Sequence, residues 1–406
     1  MTFSELNEFF KKRYLKTYDR NNFDKFLKAV DFSFTVPSIH VTGTNGKGST
    51  CNFLKSIYVK NGYKVGTFVS PFFIDTKDMI YLNENHISEE EILEIFNQYY
   101  DLFVKYELTT FEMQTFIALT YFKNINVDVA IIEVGMGGFI DATNIFTPSL
   151  SIISNIGLEH TSVLGRSLSE IAYNKAGIIK KEIPCLVGKI EESALFAIKE
   201  YAKTLDAKVI MVNEYFNEKI IDNKIHFDYL PYKDIVLNTT AFYQCKNASL
   251  AIEATRILEN ILPIDISKMY EGLLNNNNLP ARFEYISDHL LVDGAHNPDA
   301  IIELVNSLKN INKPIHVVFA CFRDKNIERM LISLGEISND IVLTTFNHNR
   351  ARNEEDYFLY LGDYKFYQDY HDAIDNALNN YPDDLVLVCG SLYFAELVRS
   401  EYKNEK

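Results

Sequence analysis

No stretch of this sequence approaches the ~18 consecutive apolar residues of a membrane-spanning helix, so no membrane partner is expected. Residues 1–12 are polar and hold no apolar signal core. Cysteine is scarce. Cys51, Cys185, Cys245, Cys321 and Cys389 are odd in number, far apart and without C-x-x-C spacing, which speaks against a zinc site or a disulfide framework and for reduced core thiols. These absences make the cytoplasm the expected compartment. Positive charge is in deficit, with 40 Lys+Arg against 55 Asp+Glu and a net charge of −15. Nucleic acid is therefore not an expected partner. An anionic ligand would have to be held in a local pocket of N–H groups, Lys, Arg and metal. The periods of solenoid repeats are missing as well.

What the chain does have is one dense glycine segment, Gly43-Thr44-Asn45-Gly46-Lys47-Gly48-Ser49-Thr50. Pro37–Thr42 before it alternates apolar and polar residues as a short strand does, and Cys51, Leu54 and Tyr58 after it recur at helical spacing. Strand, glycine loop and helix in that order make an anion cradle. The glycines let backbone N–H groups turn inward, and the helix N-terminus adds its positive end. Lys47 is placed for the outer phosphates of a nucleotide, and Ser49 or Thr50 for Mg²⁺. The spacing is tighter than in the common phosphate loop, and Gly48 separates the lysine from the hydroxyls.

At 406 residues the chain should hold about two domains. Residues 1–36 read as two short helices with aromatic stripes, Phe9, Phe10 and Tyr14, then Phe23, Phe26 and Leu27. Residues 63–70 read as a strand, 71–85 as a loop, and helices start at Ser88 and at Thr110. Val127–Val134 is the most apolar run and reads as a buried parallel strand. Strands follow at 150–155 and 183–187, with a helix over 168–178 between them. Small β elements are expected at 209–212 and 219–227, the latter turned at Asp222-Asn223, then a helix over 244–258. The asparagine run ending in Leu279-Pro280 marks a linker. Beyond it a second series begins, with strands at 290–292, 315–320, 341–345 and 385–389 and helices at 299–310 and 392–402. The expected fold is α/β in two domains. The first, 1–274, is a P-loop domain with a doubly wound, mostly parallel sheet; 275–281 is the linker; 282–406 is a smaller Rossmann-like domain.

Ligands of open parallel sheets bind beyond the carboxyl ends of the strands. There this sequence places the glycine loop, Ser70, Glu133 and His160. A carboxylate closing an apolar strand is costly unless it meets a cation, and beside a triphosphate that cation is Mg²⁺. Taken singly, Glu133 also reads as a salt-bridged residue, His160 as a loop histidine and Ser70 as turn chemistry.

Several segments resemble one family in order and spacing: Thr42–Ser49, Glu133–Gly138, Asp141-Ala142-Thr143-Asn144, His160-Thr161 with Leu164-Gly165, Lys175–Ile178 and Asp293-Gly294-Ala295-His296-Asn297-Pro298. They resemble folylpolyglutamate synthase/dihydrofolate synthase, of the Mur-type ATP-dependent amide ligases, from about residue 37 to Phe394. The resemblance implies a cytoplasmic monomer that uses ATP and Mg²⁺ to add L-glutamate to a folate or to dihydropteroate through an acyl phosphate. It implies that Thr44, Asn45, Gly46, Lys47, Gly48 and Ser49 hold ATP, with Asn247, Arg282 and Asp293. Ser70, Glu133 and His160 match Mg²⁺ ligands. Lys175 matches a lysine that carries a carbamate, and Lys47, Lys175 and His296 are the residues expected to act in the chemistry. His296 and Ser391 match glutamate-binding positions, and Thr109, Phe111, Glu112 and Asp141 the pterin-side pocket. Two departures favour folate extension over dihydropteroate. Phe139 stands where an arginine is frequent, and Arg20–Asp24 lacks a Leu-Gly-Leu-x-Arg pattern. The competing readings are a Mur-type ligase acting on a cell-wall precursor and a P-loop phosphotransferase; the latter needs neither Asp293–Pro298 nor a second domain.

Overall fold

Eight strands carry the first part of the chain: β1 (Ser38–Thr42), β2 (Val65–Phe68), β3 (Ile80–Leu82), β4 (Asn85–His86), β5 (Val129–Glu133), β6 (Leu150–Ile153), β7 (Cys185–Val187) and β8 (Val209–Met211). In this computed structural model, which describes residues 1–11, 13, 19–70, 76–276, 279–309 and 311–404, they form one sheet in the order β4-β3-β2-β5-β1-β6-β7-β8. β1 pairs in parallel with β5 and with β6, and only the β3 and β4 edge runs antiparallel. The strand before the glycine loop is therefore central and buried at every position, which is why apolar residues surround it. The chain steps to one side of β1 for β2 and to the other for β6, so the carboxyl ends of β5, β1 and β6 flank the place where the winding changes direction.

Helix Lys47–Lys60 leaves the glycine loop with most of its length buried. Its far side is closed by Asn276, whose Oδ1 accepts from Asn52 Nδ2 at 2.7 Å and Ser56 Oγ at 2.9 Å. The N-terminal aromatics serve as core: Phe26 meets Phe116 edge-on at 4.8 Å, and Phe9 meets Phe96 at 5.6 Å. Tyr14 and the first part of the expected 71–85 loop lie outside the described residues, as do Asn277 and Asn278 of the expected linker.

A three-stranded sheet, order β11-β10-β9, is built from β9 (Phe216–Ile221), β10 (Lys224–Tyr229) and β11 (Tyr232–Leu237). Asp222 and Asn223 join β9 to β10 with φ of 50° and 58°, the left-handed pair that a two-residue hairpin loop requires. A six-stranded sheet follows from β12 (Glu284–Ser287), β13 (Leu290–Val292), β14 (Ile315–Phe319), β15 (Asp340–Thr344), β16 (Lys365–Tyr367) and β17 (Leu385–Cys389), ordered β12-β13-β17-β14-β15-β16. All its pairings are parallel except β12 with β13. The fold is thus mixed α/β with three sheets.

The chain divides into two units, one of Met1–Phe216, Asp228–Val236 and Lys246–Asn276, the other of Asn217–Phe227, Leu237–Cys245 and Asn277–Lys406. One helix start differs from expectation. Thr109, not Thr110, caps helix Thr110–Asn124. Glu112 reaches back to Thr109 N at 2.7 Å, closing a reciprocal capping box that satisfies helix-end donors. The Thr110 hydroxyl goes instead to the Phe10 carbonyl at 2.6 Å.

Candidate functional site

The glycine loop is held from beneath by the residues after β6. Thr44 N donates to Asn155 O at 3.1 Å, Asn45 N to Asn155 Oδ1 at 2.6 Å, and Ser154 Oγ to Asn45 O at 2.6 Å. Thr44 Oγ1 takes the Gly157 N–H at 2.9 Å. A Cβ on Gly43 would lie 1.9 Å from Ser154 Oγ, so the close approach needs glycine. Gly46 is the left-handed N-cap, φ 81°, of helix Lys47–Lys60 and, having no side chain, makes no capping bond of its own. A Cβ there would lie 2.4 Å from Asn247 Oδ1, so Asn247, on helix Tyr243–Ile257, is brought against the loop. The N-terminus of this helix, with its N–H groups and positive dipole end, lies at the loop, an arrangement that suits an anion.

Two lysines converge on this loop. Lys47 Nζ donates to the carbonyls of Gly43 at 3.2 Å and Thr44 at 3.4 Å. Lys175, buried on helix Leu168–Ala176, donates to Gly43 O at 2.8 Å. Burial pushes the Lys175 ammonium down to about 7, with the Lys47 charge adding to the fall and Glu159 and Asp141 opposing it. Near neutrality much of Lys175 is therefore an uncharged amine. Gly43, Lys47, Gly137, Glu159, His160 and Lys175 line one cleft. His160 enters it from a left-handed turn, φ 51°.

Glu133 ends β5 beside β1, in register with Val41, and is 3% exposed. Its Oε2 accepts from Ser70 N at 3.3 Å. It also lies near Cys51 of the loop helix. Burial pushes the Cys51 thiol far up, the Glu133 charge adds to that rise, and Lys47 opposes it. The structure thus brings Ser70 to Glu133, Glu133 near Cys51 of the loop helix, and His160 into one cleft with Lys47 and Lys175. Among the described residues no group of three or more His, Cys, Asp or Glu is arranged to hold a metal alone. A carboxylate, a serine and an imidazole suit an ion that takes its remaining ligands from phosphate and water, as Mg²⁺ does.

On the other flank of the Gly135–Gly138 run, Asp141 accepts from Met136 N at 2.8 Å and from Thr143 N at 2.9 Å. Burial pushes its carboxyl up against the pull of those bonds. Phe111 stacks on Phe68 with centroids 5.8 Å apart. Thr109 and Glu112 are engaged with each other in the capping box. Phe139 turns its ring to Tyr173 at 5.1 Å and Tyr201 at 5.2 Å.

In the second unit Asp293 follows β13. Its Oδ2 accepts from Phe283 N at 2.8 Å and Tyr243 OH at 2.9 Å, and its Oδ1 from Ala295 N at 2.8 Å. Burial raises its carboxyl, while the nearby Arg282 guanidinium pulls it back. His296 Nδ1 donates to Gly294 O at 2.8 Å. Ser391 is buried before helix Leu392–Asn404, with Oγ accepting from Phe394 N at 3.4 Å.

Sequence reasoning passed over Ser154 and Asn155, which shape the loop, and Glu159, which faces Lys175. Their signal was position alone, immediately after a strand next to β1. It also assigned no role to Arg20 and His40, which reach the Phe139–Asn144 turn a hundred or more residues away in the chain.

The Mur ligase middle domain family matches residues 41–251, and the Mur ligase, glutamate ligase domain family matches 281–392. A dihydrofolate synthase/folylpolyglutamate synthase of Bacillus subtilis is 33% identical over 391 residues, 91% of each chain. A folylpolyglutamate synthase of Lacticaseibacillus casei is 30% identical over 382 residues, 89% of each chain. A solved FPGS–AMPPCP–folate complex has a similar structure, with a TM-score of 0.88 at 27% identity over 98% of this chain and 99% of that one.

Proposed function

The chain belongs to the dihydrofolate synthase/folylpolyglutamate synthase family of Mur ligases, and from that premise we propose how its residues carry the reaction. It is an ATP-dependent ligase that joins L-glutamate to a folate. The first unit is a P-loop nucleotide domain and the second a Rossmann-like domain that takes the amino acid. Both work as a cytoplasmic monomer without nucleic acid or membrane.

The substrate carboxylate attacks the γ-phosphate of ATP, giving an acyl phosphate and ADP. The glutamate amine then attacks the acyl carbon and phosphate leaves. Phosphoryl transfer asks mainly for positioning and charge neutralisation. Backbone N–H groups of Thr44–Ser49 hold the phosphates, Lys47 swings from its carbonyl partners to the outer ones, and Asn247, Arg282 and Asp293 complete nucleotide binding. Ser70, Glu133 and His160 would hold Mg²⁺, which neutralises phosphate charge when bound. The neutral amine of Lys175 is competent to add CO₂, losing a proton to become a carbamate. That change replaces a cation by an anion beside the metal position.

Thr109, Phe111, Glu112 and Asp141 form the pterin side. His296 and Ser391 hold the incoming glutamate. His296, its ring oriented by Nδ1 donating to Gly294 O, is the candidate base for the glutamate amine. The observation that carries this reading is the convergence of Lys47 and Lys175 on the Gly43 carbonyl, at the loop that leads into helix Lys47–Lys60.

The test offers tetrahydrofolate and dihydropteroate separately, with ATP, Mg²⁺ and radiolabelled glutamate. ADP release that requires glutamate, with label entering the folate, is expected. ADP release indifferent to glutamate overturns the reading in favour of a phosphotransferase. Phe139, packed on tyrosines, favours extension of tetrahydrofolate over dihydropteroate.

A further inference from the structure

The turn that follows the Gly135–Gly138 run is pinned from two sides by residues far away in the chain. From one side Arg20 Nη1 donates to three backbone carbonyls of that turn, Phe139 O at 3.4 Å, Asp141 O at 3.3 Å and Asn144 O at 3.0 Å. Its Nε is separately engaged by Asp24 Oδ1 at 3.0 Å. From the other side His40 Nε2 meets Thr143 Oγ1 at 2.9 Å, and that hydroxyl donates to Asp141 Oδ1.

The direction of this relay follows from chemistry. An ionised carboxylate only accepts, so the Thr143 hydroxyl gives its hydrogen to Asp141 and must receive one from His40 Nε2. His40 is fully buried in β1, and its Nδ1 meets no hydrogen-bond partner among the described residues. That suits the single Nε2–H tautomer. The Asp141 main chain and side chain are thereby fixed independently, the first by Arg20 and the second by His40 through Thr143.

The three carbonyls share the two N–H groups of one terminal nitrogen, Nη1, while Nε–H is held by Asp24. A planar guanidinium keeps these two nitrogens in fixed directions, and an ammonium, with one nitrogen, serves only one of them. We propose that Arg20 is a positioning residue for the acid substrate, setting the Phe139–Asn144 turn so that Asp141 stands at the angle the substrate requires. The proposal rests on Asp141 belonging to the pterin side of the site. The segment that lacks the family's Leu-Gly-Leu-x-Arg pattern nevertheless delivers an arginine to the site by this route.

The experiment compares R20M, R20K, D24N and D141A in steady-state kinetics, with ATP affinity measured in parallel. R20M raises KM for the folate by about tenfold or more with kcat within about threefold, because a displaced contact weakens ground and transition states alike. R20K, which keeps the charge and one donor direction, falls between R20M and the native enzyme. D24N, which removes only the ion pair, keeps native KM, and ATP affinity is native in all four. A native folate KM in R20M alongside a raised KM in D141A overturns the role of Arg20. A native folate KM in D141A overturns instead the reading of Asp141 on which the role rests. Parallel loss of ATP affinity in R20M and R20K would make Arg20 a general stabiliser and also overturn the proposal.

Discussion

Lys175 Nζ lies 2.8 Å from the carbonyl oxygen of Gly43, so a buried lysine touches the first residue of the phosphate-binding loop. The contact is made at a cost in charge. Burial and the Lys47 charge hold Lys175 at about 7, and the same depression makes its amine nucleophilic.

The first prediction is a pH dependence of stability. The unfolded chain keeps a proton on Lys175 up to about pH 10.5, the folded chain only to about 7. Between those values the unfolded state binds more protons, so stability rises with pH across the window and levels off above it. Denaturant unfolding at pH 7, 8.5 and 10 should show this rise in the native protein, and K175M should lose that part of the slope. With ¹³C-bicarbonate, the native protein should gain a carbamate carbon resonance that K175M lacks. A native spectrum without it would remove the carbamate from the mechanism.

Gly46 supplies the second. Alanine there must hold φ near 81° and place its Cβ 2.4 Å from Asn247 Oδ1. Left-handed strain costs on the order of 1–3 kcal/mol, and the displaced loop loses its inward N–H groups. G46A should raise KM for ATP by about tenfold or more while KM for glutamate stays native. The companion N247A, by relieving the clash, should recover part of the stability lost in G46A, read by denaturant unfolding of G46A/N247A, without restoring KM for ATP.

How far the fold and site could be read beforehand followed the range of the signals. The glycine loop and the ends of β1, β5 and β6 were legible because strand, loop and helix lie within a few consecutive residues, and an apolar run closed by Glu133 announces its own direction. The edge strands β3, β4, β11, β12 and β16 were not. They are short or half-exposed, and their alternation is diluted by residues such as Lys233 and Asp234 that face water. Thr109 was displaced by its neighbour Thr110 because either can cap, and only the reach of Glu112 decides between them. Arg20 sits in a polar segment where its pairing with Asp24 reads as an ordinary surface ion pair, since the carbonyls it holds are 119 to 124 residues away.

Glu133 gives the third. Its carboxylate is buried, touches Ser70 N and lies near Cys51 of the loop helix. E133Q keeps the size and one oxygen but removes the charge. If the carboxylate holds Mg²⁺, kcat should fall by about a hundredfold or more, and the Mg²⁺ concentration giving half-maximal rate should rise. A native metal dependence in E133Q would return Glu133 to a purely structural place beside Ser70.

The last concerns the amino acid. Ser391 has two roles that separate by measurement. Its hydroxyl accepts from Phe394 N and caps helix Leu392–Asn404, so S391A should lose about 1 kcal/mol of stability for the cap alone. S391G should lose less, because glycine is tolerated at a cap. If the hydroxyl also holds glutamate, both variants should raise KM for glutamate by about tenfold, irrespective of their different stabilities, and leave KM for ATP native. H296Q, which keeps a donor near Gly294, should lower kcat more than it raises KM for glutamate if the imidazole accepts the amine proton. Parallel changes in stability and KM across S391A and S391G would reduce Ser391 to its capping role.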